Sequence, residues 1–235
     1  MPTKQYALIA RESHPTFALV SICAITVQVV FGAVAATPAW VLLVLLFYLF
    51  RDPTQTPPSQ PLAVVSPIYG QVRYRGAAYD PWLKRTAEAV VTHTGLFDIR
   101  SIYAPMEGKI MEQWGVVPNA LPDDDNPPHS SAYWIRTDED DDIVLVITRC
   151  PWGGRVSFGC SPGERIGHGR RIGFASFGCI ARLYLPLGSR PEAAIGDHIT
   201  AGSTIVATLI HLTRMAKSVG NSEPPVQPIY SSERN

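Results

Sequence analysis

The chain carries no excess charge of either sign. Twenty Lys and Arg stand against 20 Asp and Glu, a formal net charge of zero at pH 7 over 235 residues. No global field therefore draws it to nucleic acid, and no nucleic-acid partner is expected. Cysteine is scarce, four in all, and no two form a C-x-x-C pair. Cys23 lies in an apolar run, while Cys150, Cys160 and Cys179 lie in strand-like or turn-like sequence. His93, His129, His168, His198 and His211 are scattered between them, so zinc spacing is lacking. Lone thiols of this kind are expected to be small buried hydrophobes, kept reduced. Two acidic runs, Asp123-Asp124-Asp125 and Asp138 to Asp142, lack the alternating oxygen ligands, central glycine and terminal glutamate of a calcium loop. They read as a solvated loop and a hairpin, and no metal is expected.

What is present begins with apolar sequence. From Phe17 to Ala35 about nineteen residues run without a charge, which at ~1.5 Å rise per residue just matches a ~30 Å hydrocarbon core. Thr37-Pro38 predicts a break, and Ala39 to Phe50 forms a second run of about twelve residues, ~18 Å as a helix and too short to cross alone. A secretory signal would have a shorter apolar segment followed by soluble sequence, whereas here a second apolar run comes at once. Residues 1–50 are therefore expected to form a helical hairpin that dips into or crosses a membrane, Lys4 and Arg11 on one side and Arg51 closing it. The flanking charges place both ends in the cytoplasm. A hairpin buried in a soluble protein is the competing reading.

Beyond Arg51 the composition turns to Pro, Gly, Val and Ile. Ser66-Pro67-Ile68-Tyr69-Gly70-Gln71-Val72 and Ala104-Pro105-Met106-Glu107-Gly108-Lys109-Ile110 share P-x-x-G-x-[VI]. Gly163-Glu164-Arg165-Ile166-Gly167-His168-Gly169 and Gly196-Asp197-His198-Ile199-Thr200-Ala201-Gly202 share G-[ED]-x-I-x-x-G. Proline opens a short strand, glycine permits a tight turn or close approach, and the acidic residue sits in a hairpin turn. Two copies of two patterns predict a mainly β fold with an internal repeat over residues 51–213. Asp80 to Thr94 carries apolar spacings of a short amphipathic helix. Asn119 to Ser131 reads as a loop, and residues 214–235, polar and proline-containing, as a disordered tail.

One segment bears on chemistry: Phe177-Gly178-Cys179-Ile180-Ala181-Arg182-Leu183-Tyr184-Leu185-Pro186. Together with Phe50-Arg51-Asp52-Pro53, the Ser66-Pro67 turn, Phe97-Asp98-Ile99-Arg100 leading to Ala104-Pro105, and the Gly163-Glu164 turn, it resembles the short-form phosphatidylserine decarboxylases from Phe17 to about Leu209. The resemblance implies a barrel-sandwich hybrid, as in lipoyl and biotinyl carriers. No Met-Lys-Met or Asp-Lys-Ala hairpin occurs, which disfavours a swinging-arm carrier. It also implies a bacterial inner-membrane location with the β domain on the cytoplasmic face, and as partners a membrane lipid, an aminophospholipid head group, a second copy of the chain or an active paralogue.

In that family a serine attacks the preceding glycine carbonyl, and β-elimination leaves a pyruvoyl group; an aspartate and a histidine activate the serine. Carried over, the serine falls on Cys179 after Gly178, the aspartate on Tyr69 and the histidine on Arg100, so all three are replaced. A thiol with an ordinary pKa of ~8.5 remains a competent nucleophile. Arginine has no acceptor and stays protonated, and tyrosine titrates near ~10, so neither replaces the base. General base catalysis contributes ~10²- to 10⁴-fold, and its loss can leave maturation negligible. The leading expectation is a degenerate homologue without a pyruvoyl group. The alternatives are an active decarboxylase whose pyruvoyl group derives from Cys179, and a non-enzymatic lipoyl-like membrane adaptor.

Overall fold

A computed structural model describes residues 14–51, 55–95, 97–115, 130–149 and 155–210. Two helices, α1 (His14–Phe31) and α2 (Ala33–Leu49), precede a mainly β body. Its strands are β1 (Ala63–Val65), β2 (Gly70–Asp80), β3 (Arg85–His93), β4 (Ser101–Tyr103), β5 (Gly108–Trp114), β6 (Ser130–Arg136), β7 (Asp142–Arg149), β8 (Val156–Phe158), β9 (Arg165–Ile166), β10 (Arg171–Ala175), β11 (Cys179–Leu185), β12 (Arg190–Pro191), β13 (His198–Ile199) and β14 (Ile205–Thr208). They form an eight-stranded sheet of order β13-β2-β3-β11-β7-β6-β5-β9 and two three-stranded sheets, β1-β14-β12 and β4-β10-β8, none of them closed.

The pairing repeats position by position. Gly70 pairs with Ile199 as Gly108 pairs with Ile166, and Gln71 pairs with His198 as Lys109 pairs with Arg165. Val72 exchanges backbone bonds with Gly196 and Asp197 at 2.8 and 3.0 Å; Ile110 does the same with Gly163 and Glu164 at 2.7 and 2.9 Å. The acidic residue of each G-[ED] turn accepts from the backbone N–H three residues earlier, Asp197 Oδ2 from Ala194 at 2.8 Å and Glu164 Oε2 from Ser161 at 3.3 Å, which ties the turn closed. The halves interlock through Val65 N–H to the Pro105 carbonyl and Tyr103 N–H to the Pro67 carbonyl, both 2.8 Å. One half comprises β1–β3 and β11–β14, and the other, β4–β10, is inserted into it. Where the second half closes β6 to β7 by a short turn, Thr137 N–H to Asp141 O at 2.9 Å, the first half carries the inserted chain between Thr94 and Cys179, whose backbone bond measures 3.1 Å.

The central strands are covered on both faces, which is why β7 is a continuous apolar run. Ile143, Leu145 and Ile147 join Leu183 and Leu185 in the main core, while Val144 and Val146 pack with Ala87, Ala89 and Tyr184 on the other face. Trp82 and Leu83 cover that second face. Their turn is held by the buried Asp80, whose Oδ1 accepts from the Trp82 and Leu83 amides at 3.0 and 3.3 Å. The helix expected over Asp80 to Thr94 is therefore a β-hairpin. Val90 and Val91 suit a strand, and pairing with β2 and β11 on both sides outweighs a weak helical period.

The apolar hairpin turns elsewhere than Thr37-Pro38. Gly32, at φ 87°, makes the break, and Pro38 lies inside α2. Glycine enters that region without strain, whereas a proline near the start of a helix removes a single ladder bond. Ala24 and Ala36, both fully buried, let the helices approach, and Trp40 Nε1 donates to Gln28 Oε1 at 2.9 Å across the pair. The helices hold 18 and 17 residues, and among the described residues no helix is long and apolar enough to cross a membrane. Cys23 is exposed on α1, and Cys160 is half-buried, so of the described thiols Cys179 alone fits the buried expectation. Lys4, Arg11, Cys150, Asp123-Asp124-Asp125, most of Asn119 to Ser131 and the 214–235 tail lie outside the described residues.

The repeat makes two glycines indispensable. A Cβ on Gly70, at φ 148°, would overlap the His93 carbonyl, and one on Gly108 would overlap the Arg136 carbonyl. Gly70→Ala and Gly108→Ala should each lower unfolding free energy by about 3 kcal/mol or more, since strand separation is the only relief, whereas Gly115→Ala, open on all sides, should change it by less than about 0.5 kcal/mol in urea denaturation.

Candidate functional site

Gly178 and Cys179 stand where the chain leaves β10 and enters β11. Gly178 takes φ +85°, a region favourable to glycine, although a Cβ there would meet only the Thr94 side chain at ordinary contact, 3.5 Å. Backbone conformation, and not lack of room, is what requires glycine. Its N–H donates to the Ala175 carbonyl at 3.4 Å, and Ser176 N–H donates to Arg155 O at 3.0 Å, which folds residues 175–178 into a compact turn. Cys179 is 2% exposed, and its Sγ lies 3.9 Å from Thr94 Oγ1.

Arg100 enters from the other crossover, immediately before β4. Only 4% exposed, it donates from Nη1 to the Ser176 carbonyl at 2.6 Å, and its own carbonyl accepts from Ala175 N–H at 2.8 Å. The guanidinium lies between two rings, Phe50 at 5.9 Å and Phe177 at 5.8 Å. Phe50 in turn stacks on Phe174 at 6.0 Å and meets Phe17 edge-on at 6.1 Å. Burial without compensation would cost this cation heavily; a charge-assisted hydrogen bond and two π faces offset part of that cost.

Tyr69 precedes Gly70, whose backbone presses on His93 and Thr94. Its ring packs with Ile99, Tyr103 and Ala201, the Tyr103 ring at 6.4 Å, and its hydroxyl accepts from Gln55 Nε2. Ile99 thus belongs to the Tyr69 cluster while its neighbour Arg100 belongs to the turn. The four residues singled out in the sequence all lie around the two crossovers: Gly178 and Cys179 against Thr94, Arg100 on the Ser176 carbonyl, and Tyr69 one residue from the Gly70–Thr94 contact. Arg100 meets the 175–178 turn through the Ser176 carbonyl and the Phe177 ring, whereas Tyr69 packs in a separate cluster with Ile99, Tyr103 and Ala201. Sequence reading missed Thr94, Gln55 and Phe50 as partners. Only Phe50 carried a signal, as the aromatic end of the apolar hairpin.

The fold and this turn define a β protein built around one glycyl peptide bond at a crossover between two like halves. In sequence the chain is similar to the phosphatidylserine decarboxylase proenzyme of Nitrosomonas europaea, 32% identical over 210 residues, covering 88% of this chain and 97% of that protein. It is likewise similar to those of Nitrosomonas eutropha, 34% identical with 88% and 99% covered, and Burkholderia multivorans, 33% identical with 87% and 97% covered. No family model matches the chain, and no solved structure does. The chain belongs to the phosphatidylserine decarboxylase proenzyme family.

Two half-buried histidines are expected to make stability depend on pH. His93, on β3, has its pKa lowered from the ordinary value, first by burial and then by Arg73 and Arg182. His168 is lowered by burial against an opposing pull from Glu107. The unfolded chain therefore takes up these protons near pH ~6.5, above the folded values, so their stabilising contribution is complete above that pH and is lost as pH falls through the window below it. The urea midpoint should drop between pH 7.5 and 5.5, and His93→Gln with His168→Gln should flatten that drop.

Proposed function

We propose that this chain is a membrane-associated phosphatidylserine decarboxylase homologue of phospholipid metabolism that neither cleaves itself nor carries a pyruvoyl group. The observation that carries the reading is the use of Arg100. The residue at the base position is a donor-only cation, and one of its five N–H donors, on Nη1, goes to the Ser176 carbonyl at 2.6 Å. It can hold the turn ahead of Gly178 but cannot accept a proton from Cys179. Tyr69, at the carboxylate position, has its hydroxyl bonded to Gln55 and packed under Tyr103, which suits a structural role.

In this reading residues 1–50 anchor and residues 51–213 form the β domain, a barrel-sandwich hybrid on the cytoplasmic face of a bacterial inner membrane. Leu19, Val29, Val34, Val41 and Val44 are 61–89% exposed on the two helices. At ~25 cal/mol per Å² such a surface strongly favours lipid over water. Helices of 18 and 17 residues fit a hairpin that dips into one leaflet. An aminophospholipid head group is the ligand class the family suggests.

A second reading has one observation in its favour: Gly178 keeps the left-handed turn, at φ +85°, and a nucleophilic atom comes directly after it. Cys179 Sγ would attack the Gly178 carbonyl to form a thioester, and elimination of the thiocarboxylate would leave dehydroalanine, which water converts to a pyruvoyl group and ammonia.

Intact mass separates the two. The chain should run as one species of 25.7 kDa, and Cys179→Ser alone should also stay intact; a natural chain split after Gly178 would reject the leading reading. Tyr69→Asp with Arg100→His and Cys179→Ser should restore partial self-cleavage. The full-length protein should also sediment with membranes and resist high salt, which strips only electrostatically held proteins.

A further inference from the structure

We propose that Tyr69 and Arg100 form the seat that fixes the end of the amino-terminal hairpin on the β body, so that hairpin and the Ala175–Gly178 turn move as one unit. The inference rests on the reading that these two positions no longer perform proton chemistry.

Phe50, the C-terminal cap of α2, closes that helix with a bond to Leu46 O at 2.9 Å and places its ring against Phe174 on β10 and against the Arg100 guanidinium. Five residues further, Gln55 donates to the Tyr69 hydroxyl, and its Cβ lies beside Gly202, 3.4 Å from where a side chain there would begin. Chain segments on both sides of the hairpin exit thus end on the two substituted positions. The two parts of the seat are continuous, because Ile99 packs with Tyr69 while Arg100, its neighbour, holds the turn. Arg100 has one aromatic face on the hairpin, Phe50, and one on the turn, Phe177, with the Ser176 carbonyl between. Phe17 of α1 touches the same Phe50 ring, so both helices are held through one aromatic residue. A planar guanidinium offers two faces to rings and edge donors to a carbonyl in one fixed geometry, which a lysine ammonium does not reproduce.

The test is amide hydrogen exchange on the full-length protein in phosphatidylcholine vesicles. Ala175 N–H, held by the Arg100 carbonyl at 2.8 Å, reports the turn, and Phe50 N–H reports the hairpin exit. Phe50→Ala should speed exchange at Ala175 at least tenfold, and Arg100→Lys should speed exchange at Phe50 at least tenfold, while Val144 and Val146 in β7 stay protected. Tyr69→Phe, which deletes a single hydroxyl and leaves the packing, should speed exchange at Phe50 as well and decides the matter if Arg100→Lys also exposes β7. Phe50→Ala acting only at its own end, or Tyr69→Phe without effect at Phe50, overturns the seat. Intact mass on the same samples keeps the two readings apart. A cleaved chain with coupled exchange would sink the proposed function and leave the seat, and an intact chain without coupling would do the reverse.

Discussion

Two backbone hydrogen bonds, Val65 to the Pro105 carbonyl and Tyr103 to the Pro67 carbonyl, organise the β body. Each joins the P-x-x-G turn of one half to the strand that opens the other. A backbone N–H left unpaired in this interior would cost the full desolvation of a polar group, so neither turn can shift without its counterpart. Gly70 and Gly108 take the same place in the two halves, each pressed on the carbonyl of a paired strand. The three sheets form around this arrangement, with matching strands of the two halves paired in the same register.

The site lies where that symmetry is broken. The second half closes β6 to β7 with a turn of a few residues. The first half opens the equivalent turn and passes the inserted half through it, so the chain must leave after Thr94 and return at Cys179. Two strand entries from distant sequence are thereby set side by side, with a left-handed glycine at one of them. A peptide bond in such a place is held in a fixed conformation by sheet pairing downstream and by the 175–178 turn upstream, the rigidity that positional chemistry needs. Around it the guanidinium of Arg100 meets a carbonyl and two rings, the Tyr69 phenol meets an amide, and the Cys179 sulfur lies beside a hydroxyl.

Burial makes different demands of a histidine and of an arginine. A neutral histidine can be buried at modest cost, whereas a buried guanidinium must be surrounded by acceptors and π faces. Phe50 and Phe177 offer π faces to Arg100, and Phe50 ends the apolar hairpin, so this buried cation touches the segment with the most exposed apolar surface among the described residues.

The repeat was legible in the sequence because glycine, proline and the acidic turn residues act locally: their spacing alone sets where strands start and turns fall. Gly178-Cys179 drew attention through the likeness of its ten-residue segment to a known family, and the left-handed turn at Gly178 is the part of it that local sequence predicts. The segment Asp80 to Thr94 was not a strand by local pattern, since only flanking strands β2 and β11 supply its partners. The hairpin break at Gly32 instead of Pro38 turned on which residue could adopt positive φ without loss. Tertiary structure alone decided that Phe50 reaches Arg100 and that Gln55 reaches Tyr69. The first spans 50 residues and depends on how the inserted half folds back; the second spans 14 and depends on where the chain leaving the hairpin meets the turn before β2, and no spacing in the sequence encodes either.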